Sequence, residues 1–176
     1  LRRVLLAVMM AAGVLFVVAI AFAYDADTIV TWHTPYVPLS LDFCALSGGT
    51  LLAALTMRLA KCPLVRGAYG LALVVLSGVA AACAAVTFVL QGMLLSDVAN
   101  HMAKAADLVP GYFFAVVAFV LLAFGGAFTA AIALHKGKGD RWASLPALVG
   151  AVLLALVAIF VMRFYFYMSH MTVGLG

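Results

Sequence analysis

Long apolar runs, separated by short polar connections, leave this chain few folds to choose from. Five of them stand out, over roughly residues 4–23, 37–59, 65–90, 112–134 and 143–168. About 20 residues of α-helix, rising about 1.5 Å each, cross the roughly 30 Å of hydrocarbon in a bilayer, and every run reaches that length. Lipid offers no partner to a backbone N–H or C=O, so a segment inside it must satisfy those groups as a helix or in a closed barrel. Barrel strands are alternating stretches of about ten residues, unlike these continuous runs. The fold expected is all-α: a polytopic transmembrane helical bundle of five spans, forming a single domain over residues 1–176.

Composition removes the soluble alternative. Of the 176 residues 68% are hydrophobic and 9% are charged, and glutamate is absent. So few charges could not cover a soluble surface of this size. The formal net charge of +4 does not describe a nucleic-acid-binding face, because the basic residues sit in short clusters between the apolar runs.

Those clusters set an orientation. Arg2 and Arg3 precede the first span, Arg58, Lys61 and Arg66 lie between the second and third, and Lys136, Lys138 and Arg141 lie between the fourth and fifth, so eight of ten Lys and Arg share one side. The other side holds Lys104, Arg163 and the acids Asp25, Asp27, Asp97 and Asp107. By the positive-inside rule the N-terminus is expected in the cytoplasm and the C-terminus outside it. Leu1 replaces an initiating methionine, and "LRR" runs straight into an apolar stretch longer than the core of a signal peptide. The chain is therefore expected to be an N-terminally truncated piece of a longer one.

Two outer connections are too rich to be simple turns. "YDADTIVTWHTPYVP" carries Tyr24, Trp32 and Tyr36 at the depth of an aromatic belt, with Pro35 and Pro38 opening the second span. "MLLSDVANHMAKAADLVP" places Leu94, Val98, Met102 and Ala105 at helical spacing, which predicts a short amphipathic surface helix ended by Pro110. The paired glycines Gly48, Gly49 and Gly125, Gly126 mark places where helix backbones can approach closely.

Few polar residues enter the spans. Asp42 lies early in the second, where two readings stand: a proton site, or an interfacial acid reached by water or paired with a neighbour. Gln91, near the end of the third span, reads as a helix cap or a ligand contact. Arg163, in the fifth, needs an outer-loop aspartate, a row of carbonyls or a lipid headgroup reached by snorkelling. Tyr165, Phe166 and Tyr167 beside it are expected at the membrane interface, with His170 in water.

Bis-histidine haem needs imidazoles facing one another inside the bundle, whereas His33, His101, His135 and His170 all fall near span ends or in connections. Cys44, Cys62 and Cys83 lack the spacing of metal ligands. Without a phosphate loop, a nucleophile–base pair or a CxxC, the chain carries no catalytic residues of its own and no metal site.

The stretches "DTIVTWHTPYVPLSLDFCALSGGTLL" and "VLQGMLLSDVANHMAKAADLVPGY", together with the closing pattern of Arg163, Phe166, Tyr167 and "HMTVG", resemble the later part of the membrane anchor subunit of dimethyl sulfoxide reductase. The resemblance covers nearly the whole chain and implies an eight-helix anchor whose fourth to eighth helices are present here. It implies an anchor in the bacterial inner membrane that holds a molybdopterin catalytic subunit and an iron–sulfur subunit and oxidises menaquinol without haem of its own. The histidine and glutamate associated with quinol in that family lie in earlier helices, so no position of this chain inherits their roles. Asp42 departs from the family pattern, where an apolar residue is commoner, and takes no role from it. Asp42, Gln91 and Arg163 stay the polar candidates for a cofactor or quinol contact. The rival reading is a secondary transporter or channel subunit, which would show inverted repeats and polar residues at mid-depth.

Overall fold

The computed structural model describes residues 1–24, 27–99, 104–136 and 141–171. Its helices are α1 (Arg2–Ala23), α2 (Tyr36–Leu59), α3 (Ala68–Asp97), the four-residue α4 (Ala105–Leu108), α5 (Tyr112–Lys136) and α6 (Arg141–Met168). All but α4 are long and apolar enough to cross a membrane, as the five runs predict. A 3-10 turn, Pro63–Arg66, occupies the start of the third apolar run, so α3 begins later than the run does.

The long helices alternate in direction because their connections are short. α2, α3, α5 and α6 form a ring in which each packs on the next and α6 closes back on α2. α1 leans on α2 from outside the ring. One end of the bundle gathers the start of α1, the end of α2 and the start of α3, and is called the basic end below. Residues 24–35 and 98–111 lie at the far end.

Lipid tails are as apolar as leucine, so burial alone does not hold such a ring together; close packing and interhelical hydrogen bonds do. α5 and α6 meet along small residues, Ala123, Gly126 and Ala130 against Ala151, Ala155 and Ala158, all buried. A Cβ at Gly126 would lie 2.8 Å from the Ala151 carbonyl oxygen, whereas one at Gly125 would meet nothing within 4 Å. A Cβ at Gly48 would lie 3.0 Å from Ile159 Cδ1, and Gly49 faces open space. Each glycine pair thus contributes one packing glycine. α2 and α3 are joined inside the ring, where the Ser77 hydroxyl donates to the Ser47 carbonyl at 2.9 Å.

Pro35 precedes the first residue of α2, as its fixed φ favours. At the other end of that helix Lys61 takes a left-handed φ of 58°, and the Lys61 and Cys62 N–H groups bond back to the Arg58 and Met57 carbonyls at 3.2 and 2.9 Å. This Schellman motif stops α2. The second far-end connection differs from the surface helix expected over its first half. α3 itself continues through Leu94 to Asp97, Val98 turns extended, Ala99 pairs antiparallel with Lys104, and α4 follows. Packing prolongs α3: Leu95 is buried, and the Tyr112 hydroxyl reaches across from α5 to the Phe88 carbonyl at 3.1 Å. Met102 and His101 of the expected helix lie outside the described residues. Gly111, with φ of 75°, makes the turn into α5.

Candidate functional site

The polar chemistry of the chain collects at the far end, where the last turn of α6 is fastened to both connections. The Trp32 ring stacks on Phe166 at 4.6 Å between centroids, and its Nε1–H donates to the Phe166 carbonyl at 3.2 Å. Thr31 donates to the Ser169 carbonyl at 2.5 Å and accepts from the Met171 N–H at 3.3 Å. The Tyr24 and Tyr167 hydroxyls bond at 2.8 Å, and Tyr165 donates to the Pro110 carbonyl at 3.3 Å. Phe166 is therefore a buried clasp under Trp32 rather than an interfacial anchor, since only 5% of it is exposed. His170 is exposed, and its ring meets Trp32 edge-on.

Arg163 sits one turn before this clasp. Its guanidinium carbon lies 5.4 Å from the Phe166 ring centre and beside the buried Cys44 thiol of α2. A cation over an aromatic face is attracted by the ring quadrupole. Among the described residues no carboxylate pairs with it, and its Nη2 is buried without a hydrogen-bond partner. Asp27, the described acid of the first connection, pairs instead with His33, Nδ1 to Oδ1 at 3.1 Å.

Asp42 is half-buried on α2 and lines a cavity of about 480 Å³ between α1 and α2. Phe22, Pro35, Pro38 and Leu39 form the apolar walls, with His33 and Thr34 on the far-end side. Three buried side-chain polar atoms lack a partner among the described residues: Arg163 Nη2, Asp42 Oδ1 and Thr34 Oγ1. The residues that carry two of them, Asp42 and Thr34, line this cavity, while the atoms themselves have almost no accessible surface. An unmatched buried polar atom costs about 1–3 kcal/mol.

The three sequence candidates are thus not one site. Gln91 is buried on α3, in the ring, while Asp42 faces α1 and Arg163 faces Cys44. Thr34 carried no sequence signal beyond its place in a polar connection. Arg58, counted from sequence as a loop charge, is 2% exposed and donates from Nε to the Ser144 hydroxyl of α6 at 2.8 Å. Among the described residues no group of three or more His, Cys, Asp or Glu side chains could hold a metal ion. All three cysteines are free thiols.

The family model described as DMSO reductase anchor subunit (DmsC) matches residues 1–168. The sequence is 32% identical over 167 residues to YnfH, an anaerobic dimethyl sulfoxide reductase polypeptide of Escherichia coli strain K12, a match that takes in 95% of this chain and 56% of the relative. It is also 32% identical over 177 residues to the C polypeptide of anaerobic dimethyl sulfoxide reductase from the same organism, covering 100% of this chain and 60% of that one. The protein therefore spans somewhat over half the length of these curated relatives. No solved structure matches.

Proposed function

The chain belongs to the DMSO reductase anchor subunit family, a family of multi-pass membrane proteins, and from that premise we propose that it serves as the membrane anchor of a dimethyl sulfoxide reductase-type molybdoenzyme complex. It holds a molybdopterin catalytic subunit and an iron–sulfur subunit at the bacterial inner membrane and supports menaquinol oxidation in anaerobic respiration. The observation that carries this reading is the match along residues 1–168. The basic loops favour a cytoplasmic N-terminus for this chain and a C-terminus on the outer side.

In this reading the redox groups belong to the partners, and this chain carries no haem. The partners' clusters and molybdopterin supply the electron-transfer and reduction chemistry. The chain's own residues do positional work. The ring of α2, α3, α5 and α6 is the platform, and the clasp of Trp32 on Phe166 and the Tyr165–Pro110 hydrogen bond hold the two far-end connections. Partners dock against loops held in this way, and quinol reaches the complex from the bilayer.

The test is metal content. Affinity-tagged protein extracted from its native membranes in mild detergent is expected to carry molybdenum and iron in constant ratio to itself. A metal-free homo-oligomer would overturn the anchor reading and favour the transporter or channel.

A further inference from the structure

We propose that the groove between the start of α3 and the end of α5, at the basic end, seats an anionic phospholipid, with one acyl chain in the groove and the phosphate at its mouth. The inference stands on the surface of this chain and does not depend on the anchor reading.

The groove holds about 240 Å³ and passes from polar to apolar along two antiparallel helices. Gly67, Ala68 and His135, all exposed, form its mouth. Leu71 and Ala131, each one turn deeper on its helix, form the sides, and the buried Val65 and Leu134 form the floor. A further turn along, Val75 and Phe128 are 55% and 68% exposed, so the apolar track continues down the outside of the ring. The floor depends on a glycine. A Cβ at Gly70 would run into the Val65 carbonyl oxygen, so a residue without one is what lets the 3-10 turn Pro63–Arg66 press against α3 and hold Val65 beneath the mouth.

Charge decides which lipid fits. The connection before α3 carries Lys61 and Arg66, and the one after α5 carries Lys136, Lys138 and Arg141, against one acid, Asp140. Basic residues beside a span strengthen the hold on anionic headgroups about fivefold per charge. At the mouth, the first N–H groups of α3 have no partner within the helix, and with Gly67 as N-cap no side chain takes them. They and the His135 imidazole offer donors where a lipid phosphate lies, and a helix N-terminus favours negative charge. A free phosphate would use the donors and leave the apolar walls unmatched. A zwitterionic lipid would fill the walls but bring its own cation to a cationic rim. An anionic phospholipid satisfies both.

The experiment counts lipids on the full-length protein, extracted from its native membranes in mild detergent with its bound partners. The sample is stripped of lipid and titrated with dioleoylphosphatidylglycerol or dioleoylphosphatidylcholine, and native mass spectrometry reads occupancy. The first phosphatidylglycerol is expected to bind about tenfold tighter than phosphatidylcholine, and Arg66→Gln to cut that preference about fivefold. Ala68→Leu, which fills the mouth, should remove one bound phosphatidylglycerol. Ala68 is exposed, so this variant should melt like the wild type before lipid is added, and Arg66→Gln gives an independent reading if it does not. Equal affinity for the two lipids, or unchanged binding in both variants, would overturn the site. Displacement of the lipid by inorganic phosphate would assign the mouth to a free anion and overturn it too. So would a full-length protein that binds no phosphatidylglycerol, because another segment or a partner then covers the groove.

Discussion

Gly126→Leu should prevent the bundle from forming, and Gly125→Ala, one residue away, should do no harm. A Cβ at Gly126 would sit 2.8 Å from the Ala151 carbonyl oxygen and 3.5 Å from the Ala155 nitrogen. Those are backbone atoms of α6, so no rotamer change relieves the contact and the two helices must separate. Theirs is the most extensive helix pairing of the ring, and the small residues Ala123, Ala130, Ala151 and Ala158 lose their packing together. In lipid no hydrophobic gain compensates for a gap between helices. Overpacking alone costs about 1–3 kcal/mol, and a backbone clash with lost contacts takes leucine to the top of that range or beyond it, a large part of a typical folding free energy. Gly125 faces open space, so alanine there should raise stability by about 0.5–1 kcal/mol through helix propensity. Thermal unfolding of the detergent-solubilised protein, with its level in membranes by immunoblot, reads both. Equal stability of the two variants would mean that α5 and α6 do not meet as described.

Arg58→Leu is expected to lower stability by about 1.5–3 kcal/mol, the range for a hydrogen bond to a charged group, although a leucine in a membrane span is ordinarily favourable. The side chain is 2% exposed in the last turn of α2, where its charge complements the helix C-terminus. It donates to Ser144 at 2.8 Å and so ties the end of α2 to the start of α6, across the ring's closing contact. Removing it breaks that buried charge-assisted hydrogen bond. Lysine keeps the charge but not the flat Nε geometry, so Arg58→Lys should recover only part of the loss. Arg3, fully on the surface, is the control: Arg3→Gln should stay within about 0.5 kcal/mol. Chemical unfolding in mixed detergent would show the difference, and an Arg58→Leu protein as stable as Arg3→Gln would reduce Arg58 to an orientation signal.

How much of this was legible in the amino-acid sequence depended on whether a feature is periodic or relational. Spans are set by summed transfer free energy over about 20 residues, which sequence displays directly. Their ends are not: α3 outlasts its apolar run by several residues because Leu95 and the Tyr112–Phe88 bond hold its last turns. The four glycines were visible, but which member of each pair faces a neighbour depends on helix rotation, fixed only by tertiary contact. Arg58 looked like one more loop charge, since its partner lies 86 residues away. Phe166 looked interfacial for the same reason: Trp32 covers it from 134 residues earlier. Asp42 stood out because an acid in a span is costly. Thr34, in an aperiodic connection, gave no sign that it would line the same cavity.

The central claim is that this protein fastens a soluble reductase to the bilayer, and subcellular partition tests it most directly. Cells carrying the intact gene and cells lacking it are fractionated, and viologen-driven sulfoxide reductase activity is measured in membranes and in the soluble fraction. Removal of the anchor should shift that activity from the membranes into the soluble fraction. Activity that stays with the membranes in its absence would contradict the account.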